Sequence, residues 1–155
     1  MNKTAVMSLT LLAAVGINGC STRDKLAAEE VLKHGNCQTL ESGISQVSFE
    51  DVAKIRGSKL IGMTDLEQPQ QEPDLLLLAV SNGDQPTPGY GFTLKDAYLD
   101  GETAIIEFSW TVPEADAILA QVMTHPCIVV GLATGSFRLI RAIDHTGKLI
   151  GELSL

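Results

Sequence analysis

The chain has 155 residues, about the size of one ordinary domain, and its 11 basic and 19 acidic residues give a formal net charge of −8. An acidic surface repels phosphate backbones, which argues against nucleic-acid binding and favours a basic partner or simple solubility. The sequence contains no internal repeat and no low-complexity tract, so one folded unit is predicted.

Residues 1–19 have the pattern of an export signal. Lys3 supplies a positive start, the run from Ala5 to Ile17 is almost wholly apolar, and small residues precede Cys20. The sequence Ile17-Asn-Gly-Cys20 resembles the bacterial lipoprotein signal, in which the cysteine is lipid-modified and anchors the mature chain to a membrane. Ordinary secretion, with Cys20 left as a thiol, is the alternative.

The expected mature protein is a lipid-anchored protein of the cell envelope. By resemblance to known sorting signals, Ser21 after the cysteine favours the outer membrane, with the chain facing the periplasm or the surface. Residues 20–36 are interpreted as a tether, in which Leu26–Lys33 is either a short helix or the entry to a first strand, and residues 37–155 as a single β-rich domain. Export would remove only Lys3 among the charged residues, so 10 basic against 19 acidic residues give −9.

Cys37 and Cys127 are the cysteines that remain once Cys20 carries lipid. Exported chains fold under oxidising conditions, so these two are predicted to form one disulfide. A metal site or a catalytic thiol is the alternative, but neither cysteine has another within four residues, and His34 and His125 are the only nearby nitrogen ligands. We expect no metal and no cofactor.

Strand and helix signals follow along the chain. Residues 44–48 read as a strand, and Ser48-Phe-Glu-Asp51 has the spacing of a helix start, with an end near Arg56 and Gly57 as the stop. The unbroken apolar runs 75–80 and 127–133 predict two strands that are covered on both faces and pair in one core. Residues 137–143 and 148–153, joined by Asp-His-Thr-Gly, predict a closing hairpin.

A central hairpin is predicted around Asp100-Gly101. A two-residue turn at these positions would set Leu94 opposite Glu107, whereas a three-residue loop over 99–101 matches apolar with apolar residues. The predicted pairs are Tyr90 with Trp110, Phe92 with Phe108, and Leu94 with Ile106.

The segment Gly83-Asp-Gln-Pro-Thr-Pro-Gly-Tyr-Gly-Phe92 leads into this hairpin. Its two prolines fix backbone angles and Gly89 permits a conformation that other residues resist, so a stiff loop is predicted. A stiff exposed loop loses little conformational entropy on binding. A rigid turn whose tyrosine packs in the core is the alternative. The candidate contact residues are Pro86, Thr87, Pro88, Gly89 and Tyr90.

Pro86-Thr-Pro-Gly-Tyr90, followed by alternating strands and then by Thr124-His-Pro-Cys127, resembles the C-terminal domain of the PrcB-like family of bacterial protease-complex lipoproteins. The resemblance covers about residues 75–143. It implies a role in the assembly or stability of an exported proteolytic complex, without a shared active site. Residues 84–90 are also similar, more weakly, to the tyrosine-bearing loop of chagasin-type cysteine-protease inhibitors, which have an immunoglobulin-like β-sandwich.

No sequence pattern predicts catalysis. The three histidines, at 34, 125 and 145, lie far apart, there is no paired-histidine or nucleophile-elbow motif, and Glu114-Ala-Asp116 reads as a solvated loop. The expected fold is mainly β, a sandwich or open barrel of antiparallel strands with one short helix. The expected function is a non-enzymatic lipoprotein that binds or stabilises an exported partner, a protease complex, through residues 84–90. A chagasin-type inhibitor and a purely structural envelope lipoprotein are the alternatives.

Overall fold

Two stacked β-sheets and one short helix make up the part of the chain that the computed structural model describes, residues 23–38, 40–57 and 75–155. In chain order the elements are β1 (Asp24–Lys25), β2 (Ala28–His34), β3 (Gly43–Gln46), α1 (Phe49–Ile55), β4 (Leu75–Ser81), β5 (Gly91–Asp100), β6 (Thr103–Thr111), β7 (Cys127–Ala133), β8 (Leu139–Asp144) and β9 (Leu149–Ser154). The five-stranded sheet has the order β1-β5-β6-β8-β9, and the four-stranded sheet has the order β2-β7-β4-β3. The predicted mainly β sandwich with one short helix is confirmed, and the sheets do not close into a barrel.

One strand pair departs from the predicted antiparallel arrangement. β6 and β8 run parallel, with Thr103 opposite Leu139. The reason is the crossover between them, because the chain leaves the end of β6, returns through β7 in the other sheet, and enters β8 beside the start of β6. Because β7 carries the chain back in the other sheet, β8 runs in the same direction as its neighbour β6.

The N-terminal part of the described chain lies within the two sheets. β1 pairs with the end of β5, and β2 pairs with β7 along its whole length. Residues 26–33, for which the sequence left helix and strand open, therefore enter a strand. The described part of the expected tether belongs to the sandwich.

The core lies between the sheets, and a second apolar cluster lies under α1. Leu78 and Val80 of β4 point into the core between the sheets, while Leu77 and Ala79 join the cluster under the helix. Val129 of β7 also lies in that second cluster. The two unbroken apolar runs are therefore covered on both faces and pair with each other, as predicted.

The helix begins and ends where its sequence signals indicate. The Ser48 hydroxyl accepts a hydrogen bond from the Asp51 N–H at 3.2 Å, and the Asp51 carboxylate accepts one from the Ser48 N–H at 3.0 Å. The hydrogen bonds from Ser48 lower the pKa of Asp51 below its ordinary value. Gly57, at φ +67°, follows the last turn.

The predicted register of the central hairpin is wrong. The strands join at a two-residue turn, Gly101-Glu102, and the ladder shifts by one residue at a bulge beside Lys95. The bulge is needed because Phe92 and Leu94 face the core on one side of it and Ala97 and Leu99 on the other; an unbroken strand would turn one set outward. The observed inward pairs are Phe92 with Trp110, Leu94 with Phe108, Ala97 with Ile106, and Leu99 with Ala104.

A carboxylate from the other sheet supports the bulge. The Glu30 carboxylate of β2 accepts a hydrogen bond from the Leu94 N–H at 2.8 Å and forms an ion pair with the Lys33 ammonium at 2.9 Å. Partial burial raises the pKa of Glu30, but the hydrogen bonds from Lys33 and Leu94 outweigh it and leave the pKa below its ordinary value. The edges of the two sheets are thus joined at this point.

The closing hairpin of β8 and β9 is confirmed. Its turn is organised by the Asp144 carboxylate, which accepts hydrogen bonds from the Thr146 N–H at 2.8 Å and the Lys148 N–H at 2.9 Å. Gly147 takes φ +85° in the turn. No helix among the described residues is long and apolar enough to cross a membrane.

The sandwich has two ends that carry different features. The loop end carries residues 82–90, residues 112–126 and the two disulfide cysteines; the opposite end carries Asp24, the Gly101-Glu102 turn and Leu155. β5 runs between the ends, and its ten residues span about 30 Å at the usual rise of an extended strand.

Candidate functional site

The loop between β4 and β5, residues 82–90, crosses from one sheet to the other at the loop end. Its base is fixed by Ser81, a buried residue whose hydroxyl donates to the Pro126 carbonyl at 3.3 Å and accepts from the Gly83 N–H at 3.2 Å. Gly83 takes φ +73°, a backbone region that favours glycine. The loop therefore leaves the sheet from a position held by the segment before β7.

A short backbone bridge ties the middle of the loop to that same segment. Gln85 and Thr124 exchange two backbone hydrogen bonds, of 2.7 Å and 2.9 Å. The Thr124 hydroxyl adds a third bond, to the Thr87 carbonyl, at 3.0 Å. The stiffness predicted from proline and glycine thus also has a source outside the loop.

A buried histidine joins three segments of the chain at this point. His125 Nδ1 lies 3.0 Å from the Asp84 carboxylate, while its backbone N–H donates to Gly35 and its carbonyl accepts from Cys37. Its Nε2 is buried, and no polar atom of the described residues bonds to it. The sequence interpretation of a lone histidine hydrogen-bonded near the disulfide agrees with this arrangement, but the pairing with Asp84 was not predicted.

The predicted disulfide between Cys37 and Cys127 is present. The two Cα atoms are 6.0 Å apart, and both residues are buried in the apolar cluster under α1. The bond joins the segment after β2 to the first residue of β7. It therefore fixes the loop end from the side opposite to Gln85 and Thr124.

The last part of the loop is held by a close backbone approach and by aromatic packing. Gly89 takes φ +101°, and a Cβ there would lie 3.1 Å from the Pro113 Cβ. Tyr90 stacks on Trp110 with ring centroids 5.8 Å apart, and Phe92 lies 4.5 Å from the same indole. Tyr90 and Trp110 are neighbours as predicted, although Phe92 is the residue directly opposite Trp110.

The five predicted contact residues lie together on the surface of the loop end. Pro86 and Gly89 are exposed, and Thr87, Pro88 and Tyr90 are half-buried. The loop is a fixed surface feature attached along one side, not a free protrusion. Partner binding by these residues stays a prediction, and Cys20 lies outside the described residues.

The sequence interpretation missed a second feature beside this loop, which we call the apolar segment, residues 112–123. It has no strand or helix, and one turn bond runs from the Ala117 N–H to the Glu114 carbonyl. Ile118 is fully exposed, and Val112, Val122 and Met123 are 58–65% exposed. Its signal in the sequence is an apolar stretch between two strands that lacks both alternation and glycine, whereas its two acidic residues indicate only a solvated loop.

The described residues offer little for catalysis or metal binding. No group of three or more histidine, cysteine, aspartate or glutamate side chains in them could hold a metal ion. Asp84 and His125 resemble two members of a hydrolytic triad, but the nearby Ser81 hydroxyl donates to a backbone carbonyl instead. What the loop end presents to solvent is a rigid surface with apolar and acidic groups.

Comparison with known proteins finds a family model, and its match covers this surface. Residues 76–133 match the family model described as PrcB C-terminal, which confirms the resemblance to the PrcB-like family. The matched range contains residues 84–90, the apolar segment and Cys127. No curated protein and no solved structure matched the chain.

Proposed function

We propose that this chain, whose residues 76–133 carry the PrcB C-terminal pattern, is a non-enzymatic lipoprotein of the bacterial cell envelope that binds and stabilises an exported protease complex. Residues 84–90 form its contact loop. Lipid on Cys20 anchors it to a membrane, the outer membrane in a cell that has two, with the sandwich facing the periplasm or the surface.

One observation carries the contact role. Bonds to residues outside the loop hold residues 84–90 at three places, Asp84, Gln85 and the Thr87 carbonyl, yet Pro86 and Gly89 remain exposed. A surface that is already ordered loses little conformational entropy when a partner binds. The bonds thus fix the loop while Pro86 and Gly89 stay free to contact a partner.

The family match supports the choice of partner. The family's association is with a protease-related complex, and the matched residues include both sides of the loop end. His125 Nε2 is hydrogen-bonded to no hydroxyl or thiol of the described residues, and a subunit that acts by binding needs no such nucleophile.

The anchor has its own test. Cells that produce the full chain are fed an alkyne-bearing fatty acid, and the wild-type protein is expected to be labelled and to sediment with membranes. Cys20→Ser should abolish the label because Cys20 is the one cysteine of the expected signal and supplies the thiol that is lipid-modified. Labelling or firm membrane attachment that persists in Cys20→Ser would contradict the lipid anchor.

The contact role is tested with the full, anchored chain. Pro86→Ala combined with Thr87→Ala alters the exposed side of the loop and leaves the Thr87 carbonyl in place. A matched pair, Thr134→Ala with Ser136→Ala, changes two exposed residues between β7 and β8 at the opposite end. Each form is purified from membranes with its bound proteins, and the melting temperature of each is measured.

We expect the wild type and the matched pair to retain an exported protease complex that the loop variant loses, with all melting temperatures within about 3 °C. Equal capture by the loop variant would remove residues 86 and 87 from the contact. A parallel loss of capture and of thermal stability would instead assign the loop a structural role. Slower substrate turnover by the captured protease when the chain is added would make it an inhibitor.

A further inference from the structure

The apolar segment exposes aliphatic side chains that a monomeric domain normally buries. Val112, Ile118, Val122 and Met123 lie within one irregular connection between β6 and β7. Connections of this length without secondary structure are uncommon in compact domains and usually have a function. Four exposed aliphatic side chains within one such connection indicate a place where another molecule binds.

The apolar segment and the loop at 84–90 are one continuous surface. A Cβ on Gly89 would touch both Pro113, at 3.1 Å, and Leu119, at 3.9 Å. At the other end of the segment, Thr124 bonds to both Gln85 and Thr87. A partner that contacts Pro86 and Gly89 therefore meets the apolar segment as well.

We propose that the apolar segment and residues 84–90 form a single docking surface for an exported protein whose contact face is apolar and flanked by lysine or arginine. This rests on the proposed function and adds to it the larger half of the site and the chemistry of the partner. Residues 82–91 and 112–124 contain no lysine or arginine, and they carry Asp84, Glu114 and Asp116. An apolar centre with charge of one sign around it favours a partner of the opposite sign.

The position of the anchor argues against the membrane as the occupant. Arg23 packs over the Tyr98 ring at 4.6 Å, and Asp24 pairs with Leu99, so the described chain starts at the opposite end of the sandwich. Three peptide steps separate Cys20 from Arg23, a reach of about 10 Å. The lipid thus holds the opposite end at the membrane, while the loop end lies about 30 Å away along β5.

The acidic groups argue against two other occupants. An anionic lipid surface repels Glu114 and Asp116. A second copy docked symmetrically through the same surface would bring these carboxylates against their own counterparts. Both occupants remain outcomes of the test.

The test uses the exported protein that the wild-type anchored chain captures, purified and titrated against variants of the full chain. Ile118→Ser combined with Val122→Ser and Met123→Gln removes the apolar groups, and these exposed positions should not change the melting temperature. Leu155→Ser is the matched control, since Leu155 is 57% exposed at the opposite end. We expect the triple variant to lower affinity at least about tenfold and the control to change it less than about twofold.

A second comparison tests the charge. Glu114→Lys with Asp116→Lys should slow association and reverse its salt dependence, whereas Asp100→Lys at the opposite end should do neither. Equal affinity of the triple variant and the wild type would overturn the docking surface. If the triple variant binds normally but the Pro86 and Thr87 variant still loses the same partner, the proposed function stands without the apolar segment as part of the site.

A photo-crosslinking residue at position 122 of the anchored chain identifies the occupant directly. A crosslink to a peptide of the captured protein that is apolar and bordered by lysine or arginine supports the proposal. A crosslink to lipid, to a second copy or to residues 58–74 of the same chain, or no crosslink beyond that from position 155, overturns it.

Discussion

Reduction of the Cys37–Cys127 bond should cost this domain a large part of its stability. The bond closes a loop with a sequence separation of 90. The loop-closure relation gives the unfolded chain about 15.5 cal/mol/K less entropy for a loop of this length, or about 4.6 kcal/mol at 25 °C. The usual net stability of a domain is about 5–15 kcal/mol, so the reduced form should be marginal.

The measurement is a pair of urea titrations of a soluble form that starts at Ser21, followed by the fluorescence of the single tryptophan, Trp110. One sample is oxidised and the other is kept in reductant at the same pH. We expect the free energy of unfolding, extrapolated to zero urea, to be about 4.6 kcal/mol lower in the reduced sample. Reduction is preferable to alanine substitution, because both cysteines are buried and truncation would add cavities under α1.

Two results would refute this reasoning. If the oxidised and reduced forms had the same urea midpoint, closing the loop would contribute nothing to stability. If the denatured but unreduced protein reacted with a thiol reagent, the bond would be absent from the folded protein. A stability loss with unchanged tryptophan fluorescence in the folded state would agree with an effect located in the unfolded chain.

Three further predictions concern single residues. Gly89→Ala should lower the free energy of unfolding by about 1–3 kcal/mol in denaturant titrations, because Gly89 has a positive φ and lies close to Pro113. The control Gly91→Ala, whose new Cβ would meet open space, should lower it little. Equal losses in the two variants would contradict the close approach at Gly89. Ser48→Ala should lower stability by about 1 kcal/mol through loss of the helix cap, and an unchanged urea midpoint would show that the cap contributes nothing. Hydrogen bonds from Thr146 lower the pKa of Asp144 below its usual 3.8. As the pH falls, the unfolded state therefore binds a proton at this residue before the folded state does. The stabilisation from the ionised carboxylate is present above pH 3.8 and is lost as the pH falls below it. Asp144→Asn should accordingly show a smaller stability difference between pH 6 and pH 3 than the wild type, and an equal difference would contradict the lowered pKa.

The features that the sequence predicted correctly are set by residues close together in the chain or by how many faces of a strand are covered. The capping box at Ser48 needs only residues three apart, and the helix begins at the next residue. The apolar run in β4 lacks alternation because the core covers one face and α1 the other. Once Cys20 is assigned to the predicted lipid signal, Cys37 and Cys127 remain, and two cysteines have one intramolecular pairing. In each case the local pattern and the final packing agree.

The predicted hairpin register was wrong because the bulge that sets the observed register is supported by a contact with the other sheet. From the hairpin sequence alone, a three-residue loop aligns the aromatic residues without a bulge. In the structure, β5 packs edge to edge with β2, where Glu30 binds the Leu94 N–H, and the bulge beside Lys95 keeps both halves of β5 facing the core. The parallel pairing of β6 and β8 has a similar origin, since it follows from the placement of β7 in the other sheet. The apolar pattern of β5 does change phase, from 92 and 94 to 97 and 99, but the contact with Glu30 and the placement of β7 leave no signal in the strands concerned.

The candidate site shows the same division, and this bears on how its function should be tested. Proline and glycine at 86–89 predicted a stiff loop, but the bonds that hold it come from Thr124 and His125, about forty residues later. Those residues are fixed in turn by the disulfide and by the start of β7. Substitutions at Thr124 or His125 would therefore displace the loop without touching a partner, and would not separate contact from support. Exposed groups, such as Pro86 on the loop and Ile118 on the apolar segment, can be changed without altering the framework beneath them, so the choice between a binding surface and a structural turn depends on positions of this kind.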